Sequence, residues 1–151
     1  MRIGVGYDHR GSGCKDLILD MLRQADHKVV DFGEKNKRVD YSDIASRVAF
    51  GVSCASVERA VLLGAIGSEM ALAANKIEGI RAVACFDEMQ ARLSREHLNS
   101  NVLCLGCELT STSVMVKIIE TWLNTGRGSG RYARRLSKIE VLEEALHRSK
   151  V

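Results

Sequence analysis

The chain of 151 residues has no proline and few aromatic side chains, 5% of the total. Without proline, helix boundaries have to be set by Gly, Asp, Ser and Asn. No apolar run approaches the roughly 18 residues that a membrane span needs. The opening MRIGVGYDHRG carries its glycines and charges too early for a secretory signal. A cytoplasmic protein without a membrane partner is therefore expected. An excess of one charge is missing too: the formal net charge is only +3, too small to call for a nucleic-acid partner. Among the arginines of residues 127–135 only Tyr132 offers a ring for stacking on bases. The five cysteines, Cys14, Cys54, Cys85, Cys104 and Cys107, are odd in number and lie in apolar or helical stretches, which suits a reducing compartment. Cys104-Leu-Gly-Cys107 is a lone C-x-x-C inside a strand-like run with no second ligand pair, so packing is expected there rather than zinc or redox chemistry.

What the chain does have is an alternation of apolar runs and helical periods. Arg2–Tyr7, Lys28–Phe32, Arg59–Leu63, Ile80–Cys85 and Asn101–Leu105 read as strands. Between them, helices are expected from the recurrence of Ile18, Met21, Leu22 and Ala25, over Asp40–Ala55, Ser68–Lys76 and Glu88–Glu96, and after the fifth strand over Val114–Leu123. Asn124-Thr125-Gly126 is the expected C-cap of the last of these. Five strands separated by helices predict an α/β fold, doubly wound, with a five-stranded parallel sheet covered on both faces (Rossmann-like). Residues 1–126 form this domain. Residues 127–151 add a basic glycine-serine linker and a C-terminal helix of the same domain, with Leu136, Ile139, Leu142 and Leu146 on one stripe. That stripe packs either on its own domain or on a partner subunit.

Ligands of such sheets sit beyond the carboxyl ends of the strands. The stretch Val61–Lys76 (VLLGAIGSEMALAANK) runs from a strand through a glycine-bearing turn into a helix, the arrangement in which backbone N–H groups favour anions. Asp8 and His9 follow the first strand directly, where a histidine serves a phosphate or acts as acid or base. His97 ends a helix just before the fifth strand and is expected at the same sheet edge as His9. Arg131 and Arg135, four apart, share a helix face and either clamp a phosphate or form a solvated basic face.

In order along the chain, Gly6-Tyr7-Asp8-His9-Arg10-Gly11, Val30-Asp31-Phe32-Gly33, Asp40-Tyr41-x-Asp43, Ala73-Ala74-Asn75-Lys76, Gly79-Ile80-Arg81-Ala82, Ser94-Arg95-Glu96-His97, residues 101–106 (NVLCLG) and Gly130-Arg131-x-Ala133-Arg134-Arg135 resemble the type B ribose-5-phosphate isomerases and their relatives, the two subunits of galactose-6-phosphate isomerase. The resemblance implies aldose–ketose isomerisation of a sugar phosphate without metal or other cofactor, through an enediolate. It implies that His97 assists ring opening, and that Gly64, Ala65, Gly67 and Ser68 form the oxyanion turn. Asp8 and Tyr41 would contact the sugar, while His9, Arg131 and Arg135 would hold the phosphate. It further implies a dimer or tetramer with sites shared between two subunits.

The chain departs from the family pattern where the turn usually reads Cys-Gly-Thr-Gly-x-Gly with the cysteine as base. Gly64 and Ile66 replace the cysteine and the threonine, and Glu69 replaces the last glycine. Glu69 is the candidate substitute base; its other role would be a carboxylate favoured by the helix N-terminus. Leu98, Glu108 and Tyr132 stand where relatives carry a sugar-binding asparagine, a phosphate-side arginine and a histidine. These losses resemble the A subunit of galactose-6-phosphate isomerase, so the alternative is a phosphosugar-binding subunit that depends on a paralogous partner. Residues 34–40 and Leu98 are expected to shape the end of the pocket that sets substrate length.

Overall fold

The structure is a computed structural model that describes residues 1–33 and 38–149, apart from the side chain of His147. The expectation for residues 34–40 therefore falls partly outside the described residues. Five strands, β1 (Arg2–Tyr7), β2 (Lys28–Asp31), β3 (Arg59–Gly64), β4 (Ala82–Ala84) and β5 (Val102–Gly106), alternate with α1 (Lys15–Gln24), α2 (Tyr41–Ser53), α3 (Ser68–Ala74), α4 (Glu88–Leu98), α5 (Thr112–Asn124) and α6 (Arg131–Arg148). The strands form one parallel sheet in the order β2-β1-β3-β5-β4. The chain turns one way from β1 to β2 and the other way from β1 to β3, which makes the carboxyl ends of β1 and β3 the switch point where α/β sheets open a crevice.

The inner strands are apolar on both faces because both faces are covered. Val5, Val61, Leu63, Leu103 and Leu105 pack with Ile18 and Leu22 of α1 and Met115, Ile118 and Trp122 of α5. Ala60, Leu62, Val102 and Cys104 point to the other face, against Ile44 and Val48 of α2 and Met70 of α3. Beside the amino ends of the strands, the buried Trp122 indole donates to Ser100 Oγ at 2.7 Å. The guanidinium groups of Arg59 and Arg95 lie 5.3 and 5.9 Å from its ring. Arg95 is buried and donates to the carbonyls of Ser100 and Thr125; burial pushes it down to about 10.

Several boundaries differ from those read in the sequence. The edge strand β4 is three residues long rather than six. At its amino end the side chain of Asn101 accepts the Arg81 N–H, and that of Asn75 accepts the Ala82 N–H, in place of ladder partners. α5 ends inside the expected Asn124-Thr125-Gly126, though not on its glycine. The C-cap is Thr125, extended at φ −92°, with its hydroxyl bonded to the Thr121 carbonyl at 2.6 Å. The left-handed cap belongs to α4 instead, at Asn99 (φ 46°). The C-terminal α6 touches α4 of its own chain, and Gly79 N–H donates to Glu143 at 3.1 Å. Its Ile139, Leu142 and Leu146 remain exposed. Among the described residues no helix is long and apolar enough to cross a membrane.

The closest backbone approach at the carboxyl edge lies at Gly11. A Cβ there would sit 2.1 Å from the carbonyl oxygen of Leu63, the last apolar residue of β3. No L side chain fits without parting the β1 loop from β3. Gly11→Ala is therefore expected to cost about 3 kcal/mol of stability, at the upper end for overpacking. Urea denaturation followed by circular dichroism measures it; an unchanged midpoint would contradict the contact.

Candidate active site

The crevice at the switch point is a cavity of about 390 Å³, within the size range of small-molecule sites. Four stretches line it: Asp8, His9 and Arg10 after β1; Asp40 and Tyr41 at the start of α2; Ala65, Ile66 and Glu69 around the β3–α3 turn; and Glu108 after β5. A larger groove of about 610 Å³ runs over α2 beside Arg38, Phe50 and Ile77. Among the described residues its lining holds no histidine and a single carboxylate, Asp43, which makes the smaller cavity the candidate site.

Asp8 builds the first wall. It is nearly buried, and its Oδ1 accepts the N–H groups of Arg10 at 2.9 Å and Gly11 at 2.8 Å. A short carboxylate closing its own following backbone is a stable turn device, and it leaves His9 and Arg10 exposed on the loop. The third wall is fixed to the fourth. Cys107 N–H donates to the Gly64 carbonyl at 2.9 Å, and Glu108 N–H to that of Ala65 at 3.0 Å. Across the mouth, Arg10 Nη1 pairs with Glu108 Oε1.

Glu69 sits in the first turn of α3 and folds back over the β3–α3 turn. Its Oε1 accepts the Ile66 N–H at 3.0 Å, while Oε2 is buried with no partner. A Cβ on Gly64 would meet Oε1 at 2.5 Å and Met70 Cγ at 2.9 Å. The Glu69 carboxylate thus fills the volume that a side chain at residue 64 would need. Its charge reaches the neighbouring thiols as well. Cys104 is raised well above the usual thiol range, by burial first and then by Cys85 and Glu69. Cys107 shares a hydrogen bond with Cys14, which raises Cys107 and lowers Cys14. The two cysteines of the C-x-x-C face different neighbours: Cys104 is in the core, and Cys107 is against Cys14.

Asp8, His9, Tyr41, Ala65 and Glu69 thus converge on one cavity. Gly64 is buried against the Glu69 carboxylate, Gly67 is the N-cap of α3, and Ser68 opens α3 exposed, outside the lining. His97 does not join them, which corrects the expected placement at the edge of His9. In a parallel sheet each helix runs back toward the amino ends of the strands. The last turn of α4 therefore delivers His97 beside the residues that lead into β5, at the opposite edge. There the His97 ring stacks on Tyr132, with centroids 4.1 Å apart and planes 14° from parallel. Arg131 donates to the Tyr132 hydroxyl at 2.8 Å, and that bond holds its guanidinium firmly protonated. Arg131 and Arg135 both lie exposed in the first turns of α6. The chain therefore presents two clusters on opposite edges. Arg10, Asp40 and Ile66 were not singled out from the sequence as site residues, although Arg10 adjoins His9 and carries the charge opposite to Glu108.

A parallel α/β sheet with a small polar crevice at its switch point defines the class of α/β proteins that bind small ligands beyond the carboxyl ends of their strands. The Ribose/Galactose Isomerase family model matches residues 3–139, and the chain belongs to that family. Ribose-5-phosphate isomerase B of Escherichia coli (strain K12) is 34% identical over 144 residues, covering 95% of this chain and 97% of that one. The structure of ribose-5-phosphate isomerase B from Clostridium thermocellum superposes with a TM-score of 0.93 at 37% identity, covering 97% of this chain and 99% of that chain. That from Mycoplasma genitalium, solved with bound ribulose-5-phosphate, gives 0.90 at 33% identity, covering 95% of this chain and 96% of that chain. All three are named as isomerases, which favours an enzyme over the partner-dependent binding subunit.

The stack on Tyr132 places His97 in the shielding region of an aromatic ring. In Tyr132→Ala the His97 ring-proton resonances are expected to move downfield, with the overall fold retained. Two-dimensional NMR of the two proteins checks it; unmoved resonances would show that the rings do not stack in solution.

Proposed function

We propose that this sugar-phosphate isomerase interconverts ribose 5-phosphate and ribulose 5-phosphate with Glu69 as the base, in sites completed by His97, Arg131 and Arg135 of a second copy of the chain. The observation that carries the reading is the Glu69 carboxylate in the volume vacated at Gly64. Oε1 is steadied by the Ile66 N–H, and Oε2 has no hydrogen-bond partner of its own, so no donor within the chain competes for its lone pairs.

The steps follow from these groups. His97 gives a proton to the ring oxygen and takes up the one that the anomeric hydroxyl loses, and the sugar opens to its aldehyde. Glu69 takes the proton from C2, and the electron pair moves through C1–C2 onto O1 as an enediolate. Backbone N–H groups of the turn at Gly64, Ala65, Gly67 and Ser68 stabilise that oxyanion, most effectively when already in place. The protonated Glu69 then returns its proton to C1, and the hydroxyl proton on O2 passes to O1, leaving the ketone at C2. Asp8 and Tyr41 orient the sugar hydroxyls, and His9 faces the phosphate end. The two clusters on opposite edges of one chain support a homodimer, or a tetramer of such dimers, in which one subunit's basic cluster meets the other's cavity. The exposed Ile139, Leu142 and Leu146 of α6 give such a partner an apolar face to cover. Five unpaired cysteines suit a reducing cytoplasm. Leu98, half-exposed beside His97, offers the sugar no hydrogen bond, and affinity for ribose 5-phosphate is expected to fall below that of the relatives.

Glu69→Gln is expected to lower kcat for ribose 5-phosphate about a thousandfold, the scale of a lost acid–base group, and His97→Ala to lower it strongly as well. Gly64→Cys alone crowds the carboxylate, whereas Gly64→Cys combined with Glu69→Gly supplies a thiol base and is expected to recover turnover that iodoacetamide then abolishes. Mixing Glu69→Gln and His97→Ala subunits after dissociation is expected to restore about a quarter of wild-type activity, since half of the sites in mixed dimers are intact. Full activity in Glu69→Gln rules out the base, and no recovery on mixing rules out the shared site.

A further inference from the structure

Charge in the cavity is unbalanced. Asp8, Asp40, Glu69 and Glu108 line it, and among the described residues of that lining Arg10 is the one permanent cation. A phosphate dianion entering there meets carboxylates on every wall, and the Arg10 guanidinium is the charge that this chain's own described lining sets against them. In the free protein that guanidinium is already engaged, by Glu108. Both partners are anchored by backbone rather than by side chain. Asp8 fixes the Arg10 N–H, and the Ala65 carbonyl fixes that of Glu108. The two backbones therefore stay in place while the side chains are free to rearrange. The pair is about half exposed, at 54% and 48%, and ion pairs so exposed contribute little net stability. Exchanging Glu108 for a better acceptor is consequently cheap. A phosphate group is a better acceptor, because the guanidinium fork matches two of its oxygens at once.

We propose that Arg10 is a specificity-determining residue that binds the substrate's phosphate. In the same proposal Glu108 is a positioning residue that holds Arg10 at the cavity mouth and competes with the phosphate for it. The inference rests on the proposed sugar-phosphate reaction at this cavity. It assigns Arg10 to the end of the substrate served by His9, three carbons beyond C2. Glu108 then acts as a selectivity filter. A full phosphate dianion displaces it, while a singly charged carboxylate sugar or a neutral sugar leaves the pair closed.

The test uses the full-length protein and two readouts: calorimetric titration with inorganic phosphate, and steady-state kinetics on ribose 5-phosphate. Arg10→Ala is expected to weaken phosphate binding about tenfold and to raise KM by a similar factor while kcat changes much less, with Arg10→Lys recovering part of the loss. Glu108→Gln is expected to tighten phosphate about three- to tenfold, and to have no such effect when Arg10 is already Ala. Wild-type phosphate affinity in Arg10→Ala overturns the proposal. So does equal tightening by Glu108→Gln with and without Arg10, since Glu108 would then act by repulsion alone. The outcome is separable from that of the base: turnover in Glu69→Gln bears on the reaction, and the phosphate titration proceeds whether or not Glu69 is the base.

Discussion

All five strands run in one direction, and the place of every functional group follows from that. A parallel sheet gathers the loops after its strands along one edge and returns every helix to the other. Asp8, His9, the Gly64–Glu69 turn and Glu108 follow strands and therefore meet. His97 ends a helix and Arg131 begins one that packs beside it, so they gather at the opposite edge with Tyr132. No loop adjustment brings these clusters together within one chain, because β5 and its neighbours lie between them. Under the proposed reaction, which draws on both clusters, the two would have to come from two chains.

Within the crevice the governing quantity is space. Gly64 has no side chain, and the carboxylate five residues later lies in the gap. Glu69 replaces the last glycine of the turn, and its position in the sequence does not say where its carboxylate lies. A glutamate side chain is long enough to fold back over its own turn and bond to the Ile66 N–H. The buried Oε2 without a partner is a polar atom left unsatisfied in the free protein, and such atoms concentrate where a ligand supplies the missing partner.

Much of the fold was legible in the sequence because it rests on local patterns. Val61–Leu63 and Val102–Leu105 are apolar on both faces, and the strand–turn–helix punctuation around them marks the parallel sheet. The boundary that shifted most depends on contacts between distant segments: β4 shortens where Asn75 and Asn101 take over its amino-end bonds. That Asp8, His9 and Tyr41 would lie near one another was legible from motifs, and all three line the cavity. The edge at which His97 emerges was misread because nearness in sequence to β5 was taken for nearness to its carboxyl end. The link from Arg10 to Glu108 spans 98 residues and two loops, and no local spacing encodes it.

The contact between residues 64 and 69 also constrains the order in which this turn can change over generations. With a glutamate folded over the turn, any substitution that adds a side chain at 64 meets an occupied volume. With a glycine at 64, losing the glutamate empties that volume and leaves the Ile66 N–H without its acceptor. Each single step is thus penalised in the background of the other, although the two together are compatible with a working turn. The pair acts as a ratchet: a lineage that carries both residues is held to them by packing alone.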